Sequence, residues 1–285
     1  MRASKILHST TSSSRSWLSR QSTDPYVKKR LTSSRYRSRS AFKLIEIDQQ
    51  YGLFRRPDVR AVVDLGAAPG GWSQIVAGKL GWTDHTLKKS EDNEKGKGKG
   101  KRESKEKHIT SRLEKEMRFD PLNIDDEAPT KLSKGLGTVV AVDLLPMDPI
   151  HGVLDIQADF LKPDTEDLIH RLLRMKESPE SKADVILSDM AANSTGNDVR
   201  DIESSLEICE MVYDFATRHL RTVESIGRSK GGVLLMKYFT HPNLDDFRKL
   251  KLTPNFKDVK IVKPASSRPE SKEAYFLCQG WKGFW

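Results

Sequence analysis

Ala61-Val-Val-Asp64-Leu-Gly66-Ala-Ala-Pro69-Gly-Gly71-Trp72 joins a short apolar run to a glycine-rich loop that opens a helical pattern. Five apolar-rich residues in a row read as a strand buried on both faces. Gly66, Gly70 and Gly71 let the next turn bend sharply and approach a ligand closely. That junction is where an open α/β sheet binds its ligand. Pro69 and Gly70 occupy the turn differently from the G-x-G-x-x-G dinucleotide fingerprint. A tight strand–helix turn that binds nothing is the alternative at this level.

Outward from this loop, further buried-strand runs lie at Thr138–Val142, Ala183–Leu187 and Val233–Met236, with weaker ones at Val153–Gln157, Val259–Val262 and Tyr275–Cys278. Helical patterns occupy Ser40–Tyr51, Trp72–Leu80, Thr165–Met175, Ile202–Leu220 and Leu244–Leu252. This alternation predicts an α/β fold with a doubly wound, mostly parallel sheet. The last two strands are joined through Pro264 and Pro269 without a helix, which suits an antiparallel hairpin at the sheet's end.

Two segments depart from this pattern. Residues 1–23 contain Arg2, Lys5, Arg15 and Arg20, many serines and threonines, and no acid before Asp24. That composition reads as a mitochondrial transit peptide, with a basic disordered tail as the alternative. Residues 82–134 hold Lys95-Gly-Lys-Gly-Lys-Gly-Lys101 in a mixture of Glu, Lys and Ser too poor in apolar surface to order itself. They read as a low-complexity surface insertion in a single domain of residues 24–285, with a short helix near Ile109–Met117.

The 285-residue chain carries a formal charge of +9, which favours a polyanionic partner. No apolar run is long enough to cross a membrane. Cys209 and Cys278 sit far apart in apolar surroundings and read as buried thiols, and the seven histidines show no ligand spacing, so no metal is expected. Between Asp24 and Glu46 there is no acid, while Lys28, Lys29, Arg30, Arg35, Arg37, Arg39 and Lys43 crowd together. This run reads as an RNA approach leading into the Ser40–Tyr51 helix, or as the end of a targeting sequence.

Asp143 closes the next strand, where a carboxylate accepts hydrogen bonds from a ribose. It lies 77 positions after Gly66, and 24 once the 53 residues 82–134 are set aside, close to the usual spacing. Asp159 follows the third strand and suits either an adenine amino group or a helix cap. Lys237 ends an apolar strand run, Asp189 closes the preceding strand, Lys43 lies on the early helix, and Glu273 precedes the last strand. Each one alone reads as a surface charge or salt-bridge partner. An ordinary lysine is protonated at neutral pH, so a base role for Lys237 requires burial or a nearby cation.

Taken together, Arg37-Ser-Arg-Ser-Ala-Phe-Lys-Leu44, Val63–Gln74, Asp143-Leu-Leu-Pro-Met-Asp-Pro149, Gln157-Ala-Asp-Phe160, Leu187-Ser-Asp-Met-Ala191, the Lys237 strand and Lys263–Glu273 resemble the FtsJ/RrmJ-type ribose methyltransferases of ribosomal RNA, most of all their mitochondrial members. The resemblance covers about residues 28–81 and 136–280. It implies a Rossmann-like methyltransferase fold with a seven-stranded sheet, S-adenosyl-L-methionine as cofactor, and ribosomal RNA of a large-subunit precursor as partner. It further implies 2′-O-methylation of a ribose, that of a uridine, by a monomer in the mitochondrial matrix. Gly66, Pro69, Gly70, Gly71, Trp72, Asp143, Asp159 and Asp189 would hold the cofactor. Lys43, Asp189, Lys237 and Glu273 would form the catalytic set, with Lys237 as general base. Two departures from the family pattern are Ala192 in place of a proline and Tyr238-Phe-Thr240 after the lysine, and neither removes a catalytic group. A nicotinamide-dependent oxidoreductase and a non-catalytic ribosome-assembly factor are the rival readings.

Overall fold

The structure is a computed structural model that describes residues 36–82, 135–176, 180–191 and 197–283. In chain order its main elements begin with α1 (Ala41–Tyr51), β1 (Ala61–Leu65), α2 (Gly71–Lys79), β2 (Thr138–Asp143) and β3 (Val153–Gln157). Next come α3 (Pro163–Lys176), β4 (Val185–Ser188), α4 (Asp198–His219), α5 (Val223–Ile226) and β5 (Val233–Phe239). The chain then forms α6 (Pro242–Phe247), a π-turn at Arg248–Leu252, α7 (Thr253–Asn255), β6 (Phe256–Val262) and β7 (Glu273–Trp281).

The seven strands form one sheet in the order β3-β2-β1-β4-β5-β7-β6. Strands β1 to β5 run parallel, and β7 pairs antiparallel with both β5 and β6. This is the doubly wound, mostly parallel sheet that the strand–helix alternation predicts, and the seven-stranded Rossmann-like arrangement that the resemblance implies. Side chains alternate between the two faces. Val63, Leu65, Val142, Ile186 and Leu234 pack with Ile169 of α3 and Phe215 of α4. Val62, Val139, Leu187 and Leu235 pack with Leu44 of α1 and Val76 of α2. Burial on both faces explains why the strands read as unbroken apolar runs.

Several boundaries differ from the sequence reading. Strand β5 does not stop at Lys237, because Tyr238 and Phe239 find partners in Ala274 and Glu273. Glu273 therefore opens β7 rather than preceding it. Ala183 makes only an isolated bridge to Leu220, and β4 proper begins at Val185. Helix α4 starts earlier than Ile202, since the Asn197 side chain accepts from the Val199 and Arg200 amides and caps the first turn. The expected helix over Leu244–Leu252 widens to a π-turn at Arg248, just ahead of Pro254, which has no N–H to extend the α-ladder.

Trp82 also belongs to the body rather than to the insertion. Its indole donates to the Gly137 carbonyl at 3.2 Å and packs edge-on to His151. The Leu136 amide donates to Leu80 O at 2.8 Å, so the chain leaves after Trp82 and returns beside the same point. Residues 1–23, Lys28, Lys29, Arg30, Arg35 and the helix expected near Ile109–Met117 lie outside the described residues.

Candidate active site

Strand parity assembles the site. Asp64, Asp143, Lys237, Glu273 and Tyr275 share the sheet face that carries Val62, Val139, Leu235 and Leu277, and Asp189 directly follows β4. They stand at the carboxyl edge of the parallel strands, where ligands bind in open α/β sheets. Helix α1 covers this face and brings in Lys43.

Two ion pairs meet there. Lys237 Nζ donates to the Asp189 carbonyl at 2.6 Å and lies 3.2 Å from Asp189 Oδ1. Lys43 Nζ lies 2.7 Å from both carboxylate oxygens of Glu273. All four side chains are largely buried, between 9% and 17% exposed, which protects the pairs from screening by water and salt. Tyr275 is the register partner of Lys237 across the β5–β7 ladder. Its hydroxyl donates to Asp189 Oδ1 at 2.7 Å, and Lys43 Nζ stands 5.9 Å from its ring centre. Burial, with the charges of Asp189 and Glu273, pushes the Tyr275 phenol well above its usual range and keeps it a neutral donor. The Ser267 hydroxyl donates to Glu273 Oε1 at 2.8 Å, completing the network. Its members are Lys43, Asp189, Lys237 and Glu273, joined by Tyr275 and Ser267.

The glycine loop lies beside this network. Gly66 and Gly70 have φ of +70° and +98°, which side chains rarely adopt. A Cβ at Gly66 would come within 2.1 Å of Met190 Cγ, and one at Gly70 within 2.7 Å of Ile150 and Met147. Gly71 opens α2 against Ser38. A cleft of about 60 Å³ is lined by Ser38, Asp64, Gly66, Pro69, Trp72 and Asp189. A second, shallow cleft is lined by Asp143, Leu145, Met147, Ile156 and Gln157, and Ala67 borders both.

Asp143 joins the two clefts: Oδ2 accepts from the Ala68 amide and Oδ1 from the Leu145 amide, each at 2.8 Å. Asp159 lines neither cleft, and its Oδ1 accepts from the Leu161 amide in the turn ahead of α3. Trp72 donates from its indole to Ser40 O and packs 5.7 Å from Tyr275, tying α2 to α1 and β7.

Arg37 Nη2 donates to Pro149 O at 2.7 Å and Arg39 Nη2 to Ser266 O at 2.6 Å. Both arginines thus hold loops at the rim of the site. Among the described residues no cluster of His, Cys, Asp and Glu could hold a metal ion, and no helix is long and apolar enough to cross a membrane. Sequence reasoning passed over Asp64, Ser267 and Tyr275. The available sign for Tyr275 was its two-residue spacing from Glu273, which puts both on one face of a strand.

The sequence profile of the FtsJ-like methyltransferases matches residues 36–109 and 126–281. The chain belongs to this family. The Ribosomal RNA large subunit methyltransferase E of Xanthobacter autotrophicus is 35% identical over 96% of this chain and 81% of its own length. The protein of the same name from Rickettsia bellii is 35% identical over 94% of this chain and 88% of its own. A Plasmodium falciparum structure described as a ribosomal RNA methyltransferase superposes with a TM-score of 0.57 at 21% identity, over 87% of this chain and 100% of that one. That likeness is one of fold.

Proposed function

We propose that this protein methylates the 2′-hydroxyl of a ribose, that of a uridine, in large-subunit ribosomal RNA, using S-adenosylmethionine. The observation that carries the reading is the buried Lys237–Asp189 and Lys43–Glu273 pair of ion pairs, bridged by Tyr275, against the glycine-loop cleft. The relatives named Ribosomal RNA large subunit methyltransferase E support the choice of RNA.

The cleft residues suit the cofactor. Asp64 and Asp189 border the first cleft and match a cationic sulfonium and ammonium group. Asp143 sits where a ribose diol would meet a carboxylate, and Leu145, Met147 and Ile156 offer an apolar wall for adenine. When bound, S-adenosylmethionine supplies an electrophilic methyl group. This chain's task is to make a hydroxyl nucleophilic. Lys237 must first release the proton it holds in the ion pair; its free amine then takes the hydroxyl proton as the oxygen–carbon bond forms, and the Asp189 carboxylate, 3.2 Å away, holds the ammonium so restored. Lys43 and Glu273 orient the ribose, and holding the oxygen in near-attack geometry supplies much of the acceleration.

The same reading sends the protein to the mitochondrial matrix as a monomer. Its support is the acid-free run with Arg2, Lys5, Arg15 and Arg20 ahead of Asp24. Lys237→Ala should lower single-turnover methylation by roughly 10²-fold or more while cofactor affinity stays close to wild type. Near-normal methylation by that variant would remove the base assignment. Mapping ribose methylation in mitochondrial large-subunit RNA with and without the protein tests substrate and location together: an unchanged map would defeat both.

A further inference from the structure

At the foot of α1, on the sheet edge opposite the active site, lies a cleft of about 150 Å³ that the proposed chemistry does not use. Tyr51 and Gly52 form one wall, Arg228, Ser229 and Lys230 another, and Gln279 the floor beside Val233. Arg56 reaches in from the turn after α1, and together with Arg55 it borders an adjoining open hollow of about 380 Å³. The local charge is strongly positive. Asp58 is taken up by Arg228 at 2.8 Å, and Asp258 is shared between Lys230 and Lys260. The Arg56 side chain makes no ion pair or hydrogen bond with a described residue, and Arg55 reaches only the Gln49 carbonyl at 3.5 Å.

Gln279 adds a neutral donor to these cations. It is 6% exposed, it lines the cleft, and its carboxamide finds no hydrogen-bond partner among the described residues. That carboxamide opens onto the cleft rather than being sealed in the core, so beside these cations its N–H₂ is placed to donate to an acceptor-rich occupant. Two arginines, a lysine, a serine hydroxyl and an amide N–H₂ together match the oxygens of a phosphate group.

The position of the cleft favours a polymer over a small anion. Val233 at the cleft and Lys237 at the active site are four residues apart on β5, a rise of about 13 Å. Helix α1 spans the same path on the same sheet face, with Lys43 at one end and Tyr51 at the other. One strand of a duplex carries a charge about every 3.4 Å along its axis, so roughly four nucleotides would bridge the two points. We propose that this cleft binds a backbone phosphate of the same RNA whose ribose enters the active site, so that α1 is gripped at both ends by one substrate. The proposal rests on the RNA-methyltransferase reading and adds a second anchor far from the chemistry.

Arg56→Ala/Lys230→Ala tests it against Arg171→Ala/Arg174→Ala, which removes the same charge from exposed positions on α3 across the sheet. Binding of a large-subunit ribosomal RNA fragment is measured by fluorescence anisotropy over a series of salt concentrations. The first variant should bind roughly tenfold or more weakly, with a salt slope shallower by about 1 to 2. Cofactor affinity, and kcat at saturating RNA, should be unchanged. The α3 variant should stay within about twofold of wild type. Arg55→Ala/Arg56→Ala repeats the test without disturbing the Lys230–Asp258 pair, should the first variant melt early.

Wild-type RNA affinity and salt slope in the cleft variants, with methylation by the wild-type protein intact, would overturn the anchor and leave the methyltransferase reading standing. Calorimetric binding of inorganic phosphate that the variant loses, with RNA affinity unmoved, would mark a small-anion site and overturn it too. Failure of the wild-type protein to bind or methylate the RNA at all would defeat both readings.

Discussion

At the scale of single residues, Asp64 shows how one buried carboxyl can report on the cofactor. Burial pushes its pKa up from 3.8 to about 7; the Ser73 hydroxyl at 2.6 Å opposes this, while the charges of Asp189 and Asp143 add to it. A carboxyl whose pKa is raised in the fold lends stability at low pH and loses it as pH rises through about 7. The ionised form, which burial disfavours, is the form that suits a cationic ligand. Affinity for S-adenosylmethionine should therefore increase between pH 6 and pH 8, by less than roughly tenfold per pH unit, the limit for one proton. Asp64→Asn should bind more weakly at pH 8 and lose most of that slope. Calorimetry at pH 6, 7 and 8 checks this, and equal slopes in the two proteins would discount Asp64.

At the scale of elements, Asp184 is the fastening that aligns β1 with β4. Its Oδ2 accepts from the Arg60 and Ala61 amides at 2.8 and 2.9 Å, and its Oδ1 receives Arg221 Nη1 at 2.8 Å. The carboxylate is 3% exposed, so removing it strands two amides and a largely buried guanidinium. Asp184→Ala should cost about 3–5 kcal/mol of folding stability, and Asp184→Asn distinctly less. Denaturant unfolding of the two variants tests the difference in midpoint, and equal midpoints would mean the ionic contact matters little. Elements of this kind were largely legible in the sequence, because a strand buried on both faces leaves an unbroken apolar run such as Val139–Val142. Their ends were not. Lys237 interrupts the apolar run of β5, yet the strand continues to Phe239 because of pairing with Glu273 and Ala274, residues more than thirty positions away. Tyr275 was hidden for a similar reason: an aromatic in a strand reads as packing until the register sets it opposite Lys237. The charged members of the site were visible one by one at strand ends, but only strand parity and the placement of α1 bring Lys43 to Glu273.

At the scale of the whole molecule, the two sheet faces respond to pH in opposite senses. On the α3–α4 face, His219 is 1% exposed and stacks on Phe215 at 4.1 Å, with His170 4.5 Å away. Its Nε2 lies 3.3 Å from Glu166 Oε2, yet neither ring nitrogen has a hydrogen-bond partner among the described residues. Burial, reinforced by His170 and outweighing the pull of Glu166, lowers its pKa from 6.5 to about 4. The unfolded chain therefore binds this proton at a pH where the folded chain does not. The stability that neutral His219 lends is present above about 6.5 and is lost as pH falls toward 4, the reverse of the trend set by Asp64. His219→Leu keeps an apolar side chain against Phe215 and removes the titration, so it should flatten the acid limb without touching methylation chemistry on the other face. Thermal melts at pH 7, 6 and 5 should show the wild-type midpoint falling more steeply than that of the variant. In Asp64→Asn the fall should be steeper still, since that substitution removes the only one of the two trends that favours acid. Parallel midpoint curves for wild type and His219→Leu would mean that His219 does not govern the acid limb.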